Sequence, residues 1–161
     1  MYYRAWAEHY DEFALVAQVA QDLGLRVYLS PCYMSGITYV RRDRTLARHW
    51  DEARGLAGLD AALRFIRDFD GAGGGLVRGA LMPDRIETCT PALLARTAGA
   101  SAELGVPVRL HCCQSVYEFE MVRQLDERSG GDDRNISGGP RGFWAAFLRA
   151  DQPPAPGARS D

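Results

Sequence analysis

The chain has 161 residues, of which 47% are hydrophobic and 25% are charged, and its formal net charge is -2. This composition can bury one ordinary core and excludes the basic surface that nucleic-acid binding requires. No apolar run approaches the ~20 residues of a membrane span, and residues 1–13 lack the basic and apolar pattern of a signal peptide. We therefore expect a cytoplasmic protein with no nucleic-acid or membrane partner.

Hydrophobic spacing predicts helices that alternate with strands. Residues 8–23 repeat apolar side chains at three- and four-residue intervals, and Gly24 follows as a helix stop. Thr90 and Pro91 form a good helix start, as N-cap and first helical residue. The four predicted helices span residues 8–23, 46–69, 91–104 and 115–127. The three predicted strands span residues 25–30, 76–81 and 106–112.

Two of the helix-to-strand junctions are nearly copies of each other. Residues 23–30 align without gaps on residues 104–111, and each segment places a glycine helix stop immediately before a strand. Strands that are separated by helices run parallel, which leaves a (β/α)8 barrel or an open doubly wound sheet. In both architectures the functional residues collect beyond the carboxyl ends of the strands.

All four cysteines and one histidine fall at that functional edge. Cys32, Cys89, Cys112 and Cys113 lie at or shortly after the predicted strand ends, and His111 lies at the end of the third strand. Adjacent cysteines in a strand point to opposite sides, so Cys112 and Cys113 cannot easily ligate one metal together. Packing as small apolar residues is the favoured interpretation of the cysteines. A redox or partner-binding α/β domain with exposed thiols is the alternative.

Three stretches resemble the metal-dependent amidohydrolase superfamily. They are the segment of residues 82–94 with its Thr-Cys-Thr and two leucines, residues 103–111 ending in His111, and Glu118 on the following helix. The resemblance is to the branch of chlorohydrolases and deaminases of guanine and related purines or triazines, and it covers residues 8 to about 124. It implies that Ser30, Leu81 and His111 end strands 3, 4 and 5 of a (β/α)8 barrel. The implied fold is a partial, incomplete barrel within residues 1–128.

The resemblance also implies a chemistry. Members use a divalent zinc or iron ion to activate water, and His111 occupies the position of a metal ligand. Gln114 stands where many members carry a proton-shuttling glutamate, and an amide can orient a group but cannot exchange a proton near neutral pH. The His-x-His pair and the later histidine and aspartate of the family are not found, so we expect weak or absent metal binding by this chain alone. The complete parent is expected to hydrolyse a C–N bond, or to dechlorinate, on a small cyclic substrate.

Three residues near the strand ends are candidates for substrate contact. Cys32 follows the first predicted strand, and Arg85 and Glu87 follow the second. For Arg85 and Glu87, a solvated or mutually paired loop is the favoured alternative. The glycine run at residues 71–75 lacks the Lys-Ser/Thr of a phosphate loop and is interpreted as a flexible connection.

Composition changes after residue 128. Residues 129–161 are rich in glycine, proline and polar residues, which predicts a disorder-prone tail, with a short helix only at residues 141–150. The resemblance ends before this tail. The chain is therefore predicted to be an internal piece of a barrel, inactive in isolation, whose exposed sheet edges favour self-association.

Overall fold

The computed structural model describes residues 10–112 and 114–121. The helices are α1 (Tyr10–Asp22), α2 (Glu52–Phe69), the short α3 (Ala72–Gly75) and α4 (Pro91–Leu104), followed by α5, whose described part is residues 116–121. The strands are β1 (Val27–Leu29), β2 (Cys32–Tyr33), β3 (Gly36–Val40), β4 (Leu46–Trp50), β5 (Val77–Gly79) and β6 (Met82–Pro83). None of the described helices has both the length and the apolar character that crossing a membrane requires.

Three chain segments run parallel, side by side. Val27 pairs with Val77 in β1 and β5, and Cys32 pairs with Met82 in β2 and β6. The partners differ by 50 residues in both cases (77 − 27 and 82 − 32), so the second pairing continues the register of the first. Residues 106–111 join the other side of the second segment through the parallel bridges Leu81 to Val108 and Arg85 to His111. The parallel orientation predicted from the alternation of helices and strands is confirmed, whereas the third strand predicted at residues 106–112 is present only as these two bridges.

Helices cover one face of these segments. In β5 the side chain of Val77 is buried while that of Arg78 is exposed, and Tyr28, the neighbour of Arg78 in β1, is also exposed. The main core lies between the strand segments, α2 and α4, and its largest fully buried members are Tyr33, Leu59, Leu81 and Leu93. A second cluster joins α1 to α2 and β5 through Ala17, Phe65 and Val77.

Local signals explain where several elements begin and end. Gly24 and Gly105 both adopt left-handed backbone angles, with φ of 68° and 65°, which is the conformation that a glycine helix stop requires. The Thr90 side chain accepts a hydrogen bond from the Leu93 N–H at 3.2 Å, as an N-cap does. The bounds predicted for α4, residues 91–104, agree with the structure.

The predicted start of the second helix is wrong. Residues 46–50 were expected to be helical, but they form β4, which pairs antiparallel with β3 in a hairpin. The helix begins at Glu52, because the side chain of Asp51 caps it by accepting from the Arg54 N–H at 2.9 Å. The β-branched and aromatic residues of β3 provide the pairing surface that draws residues 46–50 into a strand.

The structure tests the predictions for three further segments, at residues 71–75, 115–127 and 129–161, only in part or not at all. The connection expected at residues 71–75 contains a short helical turn, α3, with left-handed Gly73 and Gly74, and its flexibility stays a prediction. The predicted fourth helix is described only at residues 116–121, and the predicted tail at residues 129–161 lies outside the described residues.

Candidate functional site

The carboxyl ends of the three parallel segments meet in a loop network. The Asp84 N–H donates to the Tyr33 carbonyl at 2.9 Å, which joins the second segment to the first. The His111 N–H donates to the Asp84 carbonyl at 3.3 Å, and the Ile86 N–H donates to the His111 carbonyl at 3.1 Å. The backbone of His111 is therefore fixed beside the loop that follows β6, at the edge where parallel α/β folds place their functional residues.

The Arg85 guanidinium lies at the centre of three carboxylates. Its Nε is 3.1 Å from Asp84 Oδ2 and 3.5 Å from Glu87 Oε1, and its Nη1 is 3.8 Å from Glu118 Oε1. Glu87 and Glu118 are only 2% and 6% exposed. Buried carboxylates need a compensating charge, and among the residues that the structure describes Arg85 supplies it to both.

Glu87 is the most deeply buried carboxylate of the group. Burial raises the pKa of its carboxyl, the nearby charges of Glu118 and Asp84 raise it further, and the charge of Arg85 lowers it. Its Oε2 atom is buried and has no hydrogen-bond partner within the described ranges. Glu87 therefore offers almost no surface to a ligand in this conformation.

His111 and Gln114 form a side-chain pair at the exposed rim of the network. Gln114 Nε2 is 2.7 Å from His111 Nδ1, and the Gln114 N–H donates to Glu118 Oε2 at 2.6 Å. The orientation of the Gln114 amide decides which ring nitrogen carries the proton. As placed, the Gln114 amide N–H donates to Nδ1, so the neutral ring carries its proton on Nε2. Turning the amide so that its oxygen accepts from Nδ1–H would free the Nε2 lone pair of His111 for a ligand.

The described residues do not by themselves fit a zinc or iron ion. Within residues 10–112 and 114–121, no group of three or more His, Cys, Asp or Glu side chains could hold a metal ion. A protein zinc site takes three or four protein ligands, and His111 is the one candidate ligand that the sequence predicted.

The described cysteines are packed. Cys89 is a member of the main core, and the partly buried Cys112 packs against that core. The interpretation as packing residues is therefore confirmed for Cys89 and Cys112. The Sγ of half-buried Cys32 is 4.0 Å from Asp84 Oδ1. Burial raises the pKa of the thiols of Cys32 and Cys89 to about 12, because the thiolate would lose its hydration. Cys113 lies outside the described residues.

The structure brings the five predicted site residues close to one edge. His111, Gln114, Arg85 and Glu87 belong to one network, and Cys32 approaches it through Asp84. The mutual pairing considered for Arg85 and Glu87 is present, and their contact with a substrate stays a prediction. Asp84 was missed, although it lies in the same loop after the second predicted strand as Arg85 and Glu87.

A separate cavity lies at the opposite end of the strands. Its volume is ≈ 360 Å³, and Arg26, Tyr28 and Arg78 are among its lining residues. Arg78 is already paired there, with its Nε 3.2 Å from Asp70 Oδ1. The cavity contains none of the residues that the sequence predicted for function.

The chain is similar to curated deaminases over most of its length. No family model matches it. A protein of Natronomonas pharaonis named 5-methylthioadenosine/S-adenosylhomocysteine deaminase is 32% identical over 124 residues, which are 77% of this chain and 26% of that protein. Proteins with the same name from Desulforudis audaxviator and Halothermothrix orenii are 30% and 26% identical over 73% and 74% of the chain. The chain spans about a quarter of the length of the curated relatives that it matches.

Proposed function

We propose that this chain is a segment of a metal-dependent hydrolase of the amidohydrolase superfamily, whose complete form cleaves a C–N bond of a small cyclic substrate. The observation that carries the proposal is the placement of His111 at the carboxyl end of the third parallel segment, paired with Gln114. The similarity to deaminases supports the same superfamily. The names of the relatives make 5-methylthioadenosine and S-adenosylhomocysteine the first substrates to test, beside the purines and triazines that the motif favours.

The distribution of exposed apolar side chains supports a partial barrel. On α1, Leu15 and Val19 lie four residues apart on one helical face and are 66% and 45% exposed, and Leu23, directly after the helix, is 66% exposed. On the other flank, Val116 and Phe119 of α5 are 82% and 57% exposed. Each helix of a (β/α)8 barrel packs between two neighbouring helices, so apolar flanks on the first and last units are what an excised segment would display. We therefore propose that these units are strands 3 to 5 of the parent barrel.

In the parent we propose one divalent ion, zinc or iron, with His111 as one of its ligands. Bound metal would lower the pKa of a water molecule and so supply the hydroxide that attacks the substrate. This chain contributes the framework that holds His111, while Gln114 orients the ring and cannot transfer protons. The remaining ligands would come from barrel strands that the described residues do not include.

We also propose that the substrate contacts three residues near the strand ends, namely Cys32, Arg85 and Glu87. The side chain of Arg85 is 40% exposed, so it keeps a free surface for a ligand. Half-buried Cys32 could line the base of a pocket. Glu87 would contact a substrate only after the loop moved, because it is 2% exposed.

A second candidate function is a non-catalytic α/β domain that uses its cysteines for redox chemistry or partner binding. Redox reactivity requires thiolates, and thiol pKa values of about 12 for Cys32 and Cys89 oppose it at neutral pH. Partner binding through the exposed flanks, or self-association through sheet edges, is compatible with the exposed apolar residues. Measuring mass in solution distinguishes these cases, since a stable monomer would count against association.

The deciding experiment loads the purified chain with zinc. Elemental analysis measures bound metal, and ammonia release is assayed with 5-methylthioadenosine, S-adenosylhomocysteine, purines and triazines. We expect substoichiometric metal and no turnover. Stoichiometric metal that is lost on His111→Ala, together with turnover, would show that this chain holds a complete site.

The superfamily proposal has its own test. Sequencing the DNA that flanks this reading frame should reveal a His-x-His strand upstream and further barrel units downstream. If neither is found in any frame, the parent that we propose does not exist.

A further inference from the structure

We propose that Arg85 is a positioning residue, which holds the His111–Gln114 pair in place through Glu118. This inference rests on the proposed function only in assigning His111 to the site. The contacts themselves lie within the described residues and involve neither metal nor substrate.

The first link joins two loops that follow different strands. Arg85 belongs to the loop after β6, whereas Glu118 lies in the first turn of α5, which follows the third parallel segment. The Arg85 Nη1 is 3.8 Å from Glu118 Oε1. Because Glu118 is 6% exposed, its charge has little water around it, and the guanidinium is what keeps the carboxylate stable in this position.

The second link runs from Glu118 to the backbone of Gln114. The sequence Ser115-Val-Tyr-Glu118 has the spacing of a capping box, and the Glu118 N–H donates to Ser115 Oγ at 3.2 Å. In an ordinary capping box the glutamate reaches back to the N-cap N–H. Here Glu118 Oε2 accepts from the N–H of Gln114, one residue earlier, at 2.6 Å. Glu118 therefore fixes the residue that contacts His111 as well as the start of α5.

The third link fixes the orientation of the His111 ring. The backbone of His111 is held by its bonds to Asp84 and Ile86, which leaves rotation of the side chain undetermined. The side chain of Gln114 contacts Nδ1 at 2.7 Å and so selects one ring orientation. A displacement of Glu118 would release Gln114 and, with it, the ring.

Charge around Arg85 favours this role over the binding of an anionic substrate group. Asp84, Glu87 and Glu118 all lie within 3.8 Å of its guanidinium. A fourth anion would meet three negative charges and one positive charge, so it would gain little from the arginine.

The test compares four variants of the full chain by amide hydrogen exchange and by the ¹⁵N signals of the His111 ring at one fixed alkaline pH. The variants are Arg85→Met, Arg85→Lys, Glu118→Gln and the double variant Arg85→Met/Glu118→Gln. Exposed Arg96 on α4 supplies the matched control, Arg96→Met. Amides of α4 report any general loss of stability.

In Arg85→Met we expect the Gln114 amide to exchange about 10-fold faster or more, because a hydrogen bond to a charged group is lost, while α4 amides change less. The ring signals of His111 should move toward the average of the two tautomers. Arg85→Lys should give an intermediate effect, because the charge remains and the fork geometry is lost. The double variant should regain protection, since the neutral Gln at position 118 needs no compensating charge and its amide oxygen still accepts from Gln114.

Two results would overturn the inference. The first is that the Gln114 amide exchanges at the same rate in Arg85→Met as in the control Arg96→Met. The second is that the Gln114 amide of the double variant is no better protected than that of Arg85→Met. If Arg85→Met does not fold, Arg85→Lys and the double variant still decide the question. A positive result combined with no deamination by the complete parent would refute the proposed function and leave the positioning role intact.

Discussion

Adding one methyl group at Gly58 should destabilise the fold strongly. Gly58 is buried in α2 and faces the strand that ends beside the candidate site. A Cβ atom at this position would lie 2.6 Å from the Cβ and 3.5 Å from the Cα of Tyr33, whose side chain is fully buried. Carbon atoms pack best at about 3.5 to 4.0 Å, so Gly58→Ala requires the helix and strand to separate by roughly 1 Å.

The magnitude follows from two opposing terms. Overpacking of this kind costs up to about 3 kcal/mol, and neither Cβ can escape by changing rotamer because both are attached directly to the backbone. Alanine recovers about 1 kcal/mol of helix propensity. We therefore expect a net loss of about 2 kcal/mol in the free energy of unfolding for Gly58→Ala. That corresponds to a fall of roughly 4 to 8 °C in Tm for a domain of this size.

Gly99 provides a control with the opposite sign. It lies inside α4, it is exposed, and a Cβ there would have no heavy atom within 4 Å. Gly99→Ala should therefore stabilise the chain by about 1 kcal/mol. Urea unfolding followed by circular dichroism measures both variants. A Gly58→Ala chain as stable as Gly99→Ala would show that α2 and the strand do not approach as closely as described.

Three further predictions concern the residues around the site. Thr90→Ala should cost about 1 kcal/mol because it removes the N-cap of α4, whereas Thr90→Ser should not, and urea unfolding compares the two. At neutral pH, Cys32 and Cys89 of the native chain should be alkylated on the order of a thousand-fold more slowly than in the urea-unfolded chain, because thiolates are scarce when the thiol pKa is about 12. Equal alkylation rates in the two states would contradict the burial of these thiols. Folding raises the pKa of Glu87, so its protonated carboxyl contributes stability that is complete below the pKa of the unfolded chain and is lost as pH rises through the pKa of the folded chain. Glu87→Gln should therefore raise the free energy of unfolding near neutral pH and change it little below the unfolded pKa. Unfolding measured across this pH range tests the prediction.

The sequence predicted those elements whose signals are local. The bounds of α4 followed from Thr90, Pro91 and Gly105, each of which acts within its own turn of the chain. The hairpin of β3 and β4 was missed because residues 46–50 continue the apolar pattern of α2, and their strand conformation depends on pairing with β3. The capping carboxylate of Asp51 was a local signal that could have placed the helix start correctly.

In the candidate site, too, the sequence could predict a feature with a local signal but not a contact between distant segments. The position of His111 at a strand end could be predicted, since it required only the alternation of helices and strands. The link from Arg85 to Glu118 could not, because it depends on how far two loops that follow different strands lie from each other. The sequence offered two interpretations of Arg85, substrate contact and ion pairing; the distances show the ion pairing, and substrate contact stays a prediction.

The charge of the loop network bears on the kind of substrate that this edge could receive. Asp84, Glu87 and Glu118 surround a single guanidinium, so the network carries an excess of negative charge. Such an edge favours a neutral heterocycle with N–H donors over an anionic group, so the carboxylate of a substrate such as S-adenosylhomocysteine would have to lie away from this network. Aminopurines and aminotriazines have this character, since each presents an amino group and no anionic substituent of its own. The electrostatics of this segment thus agree with the proposed deamination chemistry, even though the described residues contain no group of three or more side chains that could hold a metal ion.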